Sequence, residues 1–149
     1  KSYDFPNEFR GEIKAGEKIH DMYIRLTVDE NLVIQDVEAY FDAYPYRICP
    51  DITPAFNALK GLKIAPGWSR KVKKLLGKTK GCTHLLELLG PVATVAFQTI
   101  IPVRQRAEKE AKTQGGAQSR KPPQINTCHA YASDSEVIRK HWPRFYTGE

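Results

Sequence analysis

One stretch constrains the fold of this chain more than any other. It starts at Gly81-Cys82-Thr83-His84-Leu85 and runs through Pro91 to about Ala111. Leu85, Leu88, Leu89, Val92, Val95, Ala96, Ile100 and Val103 recur at three- and four-residue steps, the spacing of one helix face. Leu86, Phe97 and Ile101 widen that face, which predicts a helix buried on more than one side. Thr83 is the expected N-cap, because its hydroxyl can accept from the unpaired N–H groups of the first turn. Gly90-Pro91 and Pro102 are expected to kink or restart the helix, since proline lacks the amide proton of the ladder. Cys82 and His84 then stand at the positive end of the helix dipole, which favours a thiolate or a bound anion. The plainer reading makes Cys82 a small buried hydrophobe and His84 a capping or packing residue.

The rest of the chain supplies strands and short helices. Residues 1–19 read as irregular or edge-like, interrupted by Pro6, Gly11 and Gly16. His20–Val28 alternates as a strand, with His20, Met22, Ile24, Leu26 and Val28 on one face and Asp21, Tyr23, Arg25 and Thr27 on the other. Asp29-Glu30-Asn31 is a turn, and a second strand runs from Leu32 to about Tyr44. Its apolar face is Val33, Val37, Ala39, Phe41 and Ala43; Tyr40 lies with the carboxylates on the other. The two strands read as an antiparallel hairpin covered on one side. Tyr44-Pro45-Tyr46-Arg47-Ile48-Cys49-Pro50 is a proline-stiffened loop. Short helices are expected over Asp51–Lys60 and Gly67–Leu76, the second with Val72, Leu75 and Leu76 inward and Gly77 closing it. Glu108–Pro123 reads as a frayed helix end and loop. Gln124–Ala132 reads as a strand with Ile125, Thr127, His129 and Tyr131 on one face. Ser133-Asp134-Ser135 caps a last helix near Glu136–His141, stopped by Pro143. The expected class is α+β: a curved antiparallel sheet packed against one long kinked helix and several short ones, in a single domain over 1–149.

Charge and cysteine usage narrow the function classes. The chain carries a net charge of +6, much of it in Arg70-Lys71-Val72-Lys73-Lys74 with Lys78 and Lys80. Only Trp68 lies near that run, where a single-strand binding surface needs several aromatics for stacking. A solvated helix face is the commoner explanation, so no nucleic-acid partner is expected, although a basic rim would attract a small carboxylate or phenolate. Three widely spaced cysteines, Cys49, Cys82 and Cys128, do not form a disulfide framework and fit a reducing cytoplasm. No stretch reads as long and apolar enough to cross a membrane.

Three kinds of chemistry suit these residues. Zinc would accept donors from His20, Cys49, Cys82, His84, Cys128 and His129, but no Cys-x-x-Cys or His-x-x-x-His pair is present, so no metal site is assigned. Cys82 at a helix start is the best nucleophile by environment, without a hydrolase signature around it. Acid–base chemistry without a cofactor needs His, Tyr or carboxylate groups around an apolar pocket. His20, His84 and His129 sit in ordered, largely apolar elements and read as pointing inward, and imidazole titrates near neutrality. Tyr40, Tyr44 and Tyr46, with Arg25, Cys82 and Cys128, are the candidates to bind a flat aromatic molecule. The pocket is expected between the sheet face bearing His20 and the N-terminus of the long helix.

Several segments in order then form a pattern: His20-Asp21-Met22 into Arg25-Leu26-Thr27-Val28-Asp29, Cys49-Pro50, Leu59-x-Gly61-Leu62-x-Ile64, Gly81-Cys82-Thr83-His84-Leu85 and Asn126-Thr127-Cys128-His129-Ala130. This set resembles the bacterial domain-of-unknown-function family DUF2889 over about Glu12 to Tyr146, with an N-terminal part of that domain expected to be missing. The resemblance implies a catabolic enzyme for a small lignin-derived phenolic compound. The expected activity is a cofactor-independent lyase, for example one that cleaves a carbon–carbon bond beside an aromatic ring and releases formaldehyde. His84 or His20 would be the base; Tyr46, Arg25 or His129 would stabilise the phenolate. Alternatives are a non-catalytic small-ligand binding or scaffold protein and a zinc-dependent enzyme of aromatic catabolism. A homo-oligomer is possible.

Overall fold

In the computed structural model, residues 1–113 and 121–149 are described, and the chain divides into two compact units, 1–107 and 108–149. The N-terminal residues are more regular than expected. β1 (Phe5–Asn7) and β2 (Gly11–Ile13) pair antiparallel. The side-chain oxygen of Asn7 accepts from the N–H groups of Phe9 and Arg10 and closes the turn, and Gly11 takes the positive φ of 72° that the return requires.

β3 (Asp21–Val28) and β4 (Ile34–Ala43) form the expected antiparallel hairpin. On β3 the alternation holds: Met22, Ile24, Leu26 and Val28 face the core, while Tyr23, Arg25 and Thr27 are exposed. On β4 the expected face is partly displaced. Thr27 pairs with Asp36 but Val28 with Ile34, so Gln35 is an extra residue that breaks the parity. Ile34, Val37 and Phe41 are therefore buried, and Val33 instead bridges to Lys63. Residues 61–64 lie along Leu32–Ile34 through three backbone bonds: Gly61 to Ile34, Ile34 to Leu62 and Ile64 to Leu32.

A 3-10 helix spans Cys49–Leu59 and buries Phe56 and Leu59 completely. α1 (Trp68–Leu76) buries Trp68, Val72 and Leu76; Leu75 points outward, contrary to expectation, because the positions at 68, 72 and 76 define its inner stripe. α2 (Thr83–Thr113) runs on through Pro91 and Pro102 without restarting. Leu85, Leu89, Ala93 and Ile100 form its buried stripe, and the indole N–H of Trp68 donates to the Leu89 carbonyl at 3.1 Å. The core of the first unit thus gathers β4, the 3-10 helix, α1 and the inner stripe of α2.

Two expectations for the long helix fail together. It is buried along one stripe rather than several, with Val95 and Val103 exposed. Thr83–Ala107 also meets the length and composition of a membrane-crossing helix, and only 17% of its most apolar window is buried.

In the second unit, Gln124–Ala132 is not a strand. Asn126 adopts a φ of 67°, its N–H donates to the Tyr131 carbonyl at 2.7 Å, and its side chain accepts from Ser133, so the segment curls back on itself. A 3-10 turn follows at His129–Tyr131. α3 (Glu136–His141) forms as expected, with the Ser135 hydroxyl accepting from the N–H of Ile138. Of the frayed helix end and loop expected over Glu108–Pro123, the first part continues α2 to Thr113, and residues 114–120 lie outside the described residues. The secondary structure as a whole is α+β: two small antiparallel sheets, one long helix and several short ones.

Candidate active site

The site begins with a tight connection. Gly77 ends α1 by donating to the Lys73 carbonyl, a 3-10 turn covers Lys78–Lys80, and Gly81 then passes against Leu76. A Cβ on Gly81 would lie 2.3 Å from the Leu76 carbonyl oxygen, so only glycine allows this approach. The Cys82 carbonyl accepts the N–H of Leu86 at 2.9 Å. Cys82, not Thr83, is therefore the N-cap residue, and Thr83 is the first helical one. Leu85, fully buried, anchors the first turn in the core and so fixes Cys82 and His84 around it.

His20 enters from the other side, one residue ahead of β3. It is exposed rather than turned into the core, because β4 ends its pairing at Ala43 opposite Asp21 and nothing in the hairpin covers the residue before it. What it meets is His84. The two rings lie 4.1 Å apart between centroids, tilted by 34°. The Cys82 sulfur lies 3.8 Å from His84 Nδ1. The imidazole of His20 is held below the ordinary histidine value, first by partial burial and then by the charge of His84. His20 as a residue is exposed, so this burial is partial. A neutral imidazole at this position is a proton acceptor at neutral pH.

Cys82 also lines a neighbouring hollow of about 410 Å³, together with Ile48, Cys49, Asp51, Ile52 and Gly81. That volume falls in the range of small-molecule sites. The thiol is thus shared between the histidine pair and an open, mainly apolar wall formed by the start of the 3-10 helix. Cys49 was read as a thiol of a proline-stiffened loop and as one of the zinc-donor candidates, and Asp51 as the start of a helix. Their meeting with Gly81 and Cys82 was not read from the sequence, because it is set by tertiary packing.

The other candidate residues are distributed more widely. Arg25 and Tyr40 lie on the solvent face of the hairpin, Arg25 paired with Glu38 at 3.1 Å and Tyr40 against Tyr23. Tyr44 is half-buried between Phe9 and Phe41. Tyr46 is exposed on the loop entering the 3-10 helix, its carbonyl accepting from Cys49. Cys128 and His129 are exposed in the second unit. The inward orientation read for His20, His84 and His129 is therefore corrected for all three: each is exposed. Among the described residues no three His, Cys, Asp or Glu side chains are grouped as a metal ion would require, which leaves the zinc alternative without a ligand set there.

Together these features define an α+β protein with a thiol and two imidazoles gathered at the N-terminus of its longest helix. The sequence profile of a family described as "Protein of unknown function (DUF2889)" matches residues 1–98, and the chain belongs to that family. The matched span holds His20, Cys49, Cys82 and His84; it stops short of Thr127–Ala130, so it is shorter than the resemblance read from the sequence. No curated protein and no solved structure matches the chain.

Proposed function

We propose that this protein is an acid–base enzyme, a cofactor-independent lyase that cleaves a carbon–carbon bond in a small phenolic compound. The observation that carries the reading is the ring contact between His20 and His84, with His20 biased toward its neutral form. The positive charge of His84 disfavours a second one on His20, which leaves His20 ready to accept a proton.

The reaction suits such a pair. For a substrate with a hydroxymethyl group beside its ring and an aryl ether on the next carbon, a base removes the hydroxyl proton and that O–H becomes the C=O of formaldehyde. The electron pair of the broken carbon–carbon bond forms an alkene, and the aryl ether bond breaks to leave a phenolate. An acid then protonates the phenolate, so no electrons enter or leave overall. His20 is assigned as base and His84 as acid. The hollow beside Cys82 offers an apolar wall for the ring, and Tyr46, on the loop leading into it, is the nearest phenol along the chain.

The test is stoichiometry. Purified protein is incubated with phenolic dimers carrying the hydroxymethyl group, and formaldehyde and the conjugated alkene are measured together. Equal amounts of both are expected. Absence of formaldehyde from every dimer that binds would remove the lyase assignment and favour a non-catalytic binding protein.

A further inference from the structure

A second hollow in the first unit lies apart from the histidine pair. It has a volume of about 640 Å³ and an apolar floor that includes Ile64, Trp68, Ala93 and Phe97, with Lys63 and Arg104 in its walls. It shares no lining residue with the hollow beside Cys82. Ala93 also follows His84 by more than two turns of α2, about 13 Å at the helical rise.

Its charge is one-sided. Some cations of this unit meet carboxylates, as Lys18 does Asp21, Arg25 does Glu38 and Lys60 does Asp36. Lys63 makes no ion pair among the described residues. Arg104 donates through Nε and Nη2 to the carbonyl oxygen of Glu30, at 3.2 and 2.5 Å. Those bonds fix the guanidinium without neutralising it and leave its Nη1 side for another acceptor. No Asp or Glu is among the residues lining the hollow.

We propose that this hollow binds a small amphipathic carboxylate, with its hydrocarbon part against Trp68, Ile64 and Phe97 and its carboxylate at Lys63 and Arg104. The apolar floor supplies affinity for any hydrocarbon of suitable size; the two cations supply the preference for an acid over the corresponding alcohol.

The experiment uses the full chain with Trp142→Phe, which leaves Trp68 as the one tryptophan of the two in the sequence. Octanoate and 1-octanol are titrated separately while Trp68 emission is followed. A saturable change is expected with octanoate, at least about tenfold tighter than with octanol, as two charge-assisted contacts imply. Lys63→Gln combined with Arg104→Gln is expected to erase that preference and leave octanol binding within about twofold. Thr94→Phe, at an exposed wall position, is expected to block both ligands. His84→Gln is expected to change neither, which separates this site from the proposed catalytic one. Equal binding of acid and alcohol, no saturation, or octanoate binding that survives Thr94→Phe would overturn the proposal. The last outcome decides the matter even if the double variant loses its helical circular dichroism.

Discussion

His20 and His84 are remote in sequence and touch ring to ring, and burial together with the charge of His84 lowers the His20 value. The consequence for stability follows from the direction of the His20 shift. Its folded value lies below the ordinary 6.5, so in the range just below 6.5 the unfolded chain binds a proton that the folded chain lacks. Stability contributed by this group therefore rises with pH through that range, is complete above 6.5, and is lost as pH falls through the folded value. His20→Gln removes the titration. Thermal melts of wild type and variant are expected to differ in slope against pH just below 6.5 and to run parallel above it. Identical slopes throughout would mean that His20 is not shielded. Cys82, 3.8 Å from His84, adds a polarisable neighbour to the same pair and joins it to the hollow.

At the scale of elements, the connection from α1 to α2 places the site, and Gly81 is its tightest point. Gly81→Ala puts a methyl group 2.3 Å from the Leu76 carbonyl oxygen, a backbone atom that cannot swing aside as a side chain would. A loss of about 1–3 kcal/mol in urea unfolding is expected, the range for overpacking a closed contact. An unchanged midpoint would show that the turn relaxes freely. The elements themselves were legible to different degrees. β3, α3 and the start of α2 follow from alternation, a serine cap and helical spacing. β4 was legible as a strand, and Val37, Ala39 and Phe41 face the core as expected, but a bulge at Gln35 reverses the parity at its start and puts Ile34 inward in place of Val33. Gln124–Ala132 alternates like a strand, yet Asn126 enters the left-handed region and local side-chain bonds replace the ladder. The breadth of apolar residues on α2 suggested burial on more than one side, whereas the most buried residues form one stripe. Of the site, the expected meeting of the His20 end of the hairpin with the start of α2 is seen as the His20–His84 contact, but both rings were read as pointing inward and each residue is exposed. The outward-facing places of Arg25 and Tyr40 follow from the same alternation, while the partnership of Cys49 and Cys82 rests on packing that no spacing reveals.

At the scale of the molecule, two compact units carry two sets of histidine and cysteine. The family span covers residues 1–98 and includes every member of the set at the α2 start, whereas His129 and Cys128 lie outside it. The proposed chemistry is accordingly assigned to the first unit. The measurement that bears on this most directly is formaldehyde release by the wild type and by three single variants, His20→Gln, His84→Gln and His129→Gln, each with its circular dichroism recorded. Removal of a general acid or base is expected to cost about 100-fold or more, so His20→Gln and His84→Gln should lose nearly all turnover with the fold intact. His129→Gln should stay within about twofold of wild type on the same scale. Full turnover in His20→Gln and His84→Gln, or an equal loss in His129→Gln, would contradict the assignment of catalysis to the histidine pair.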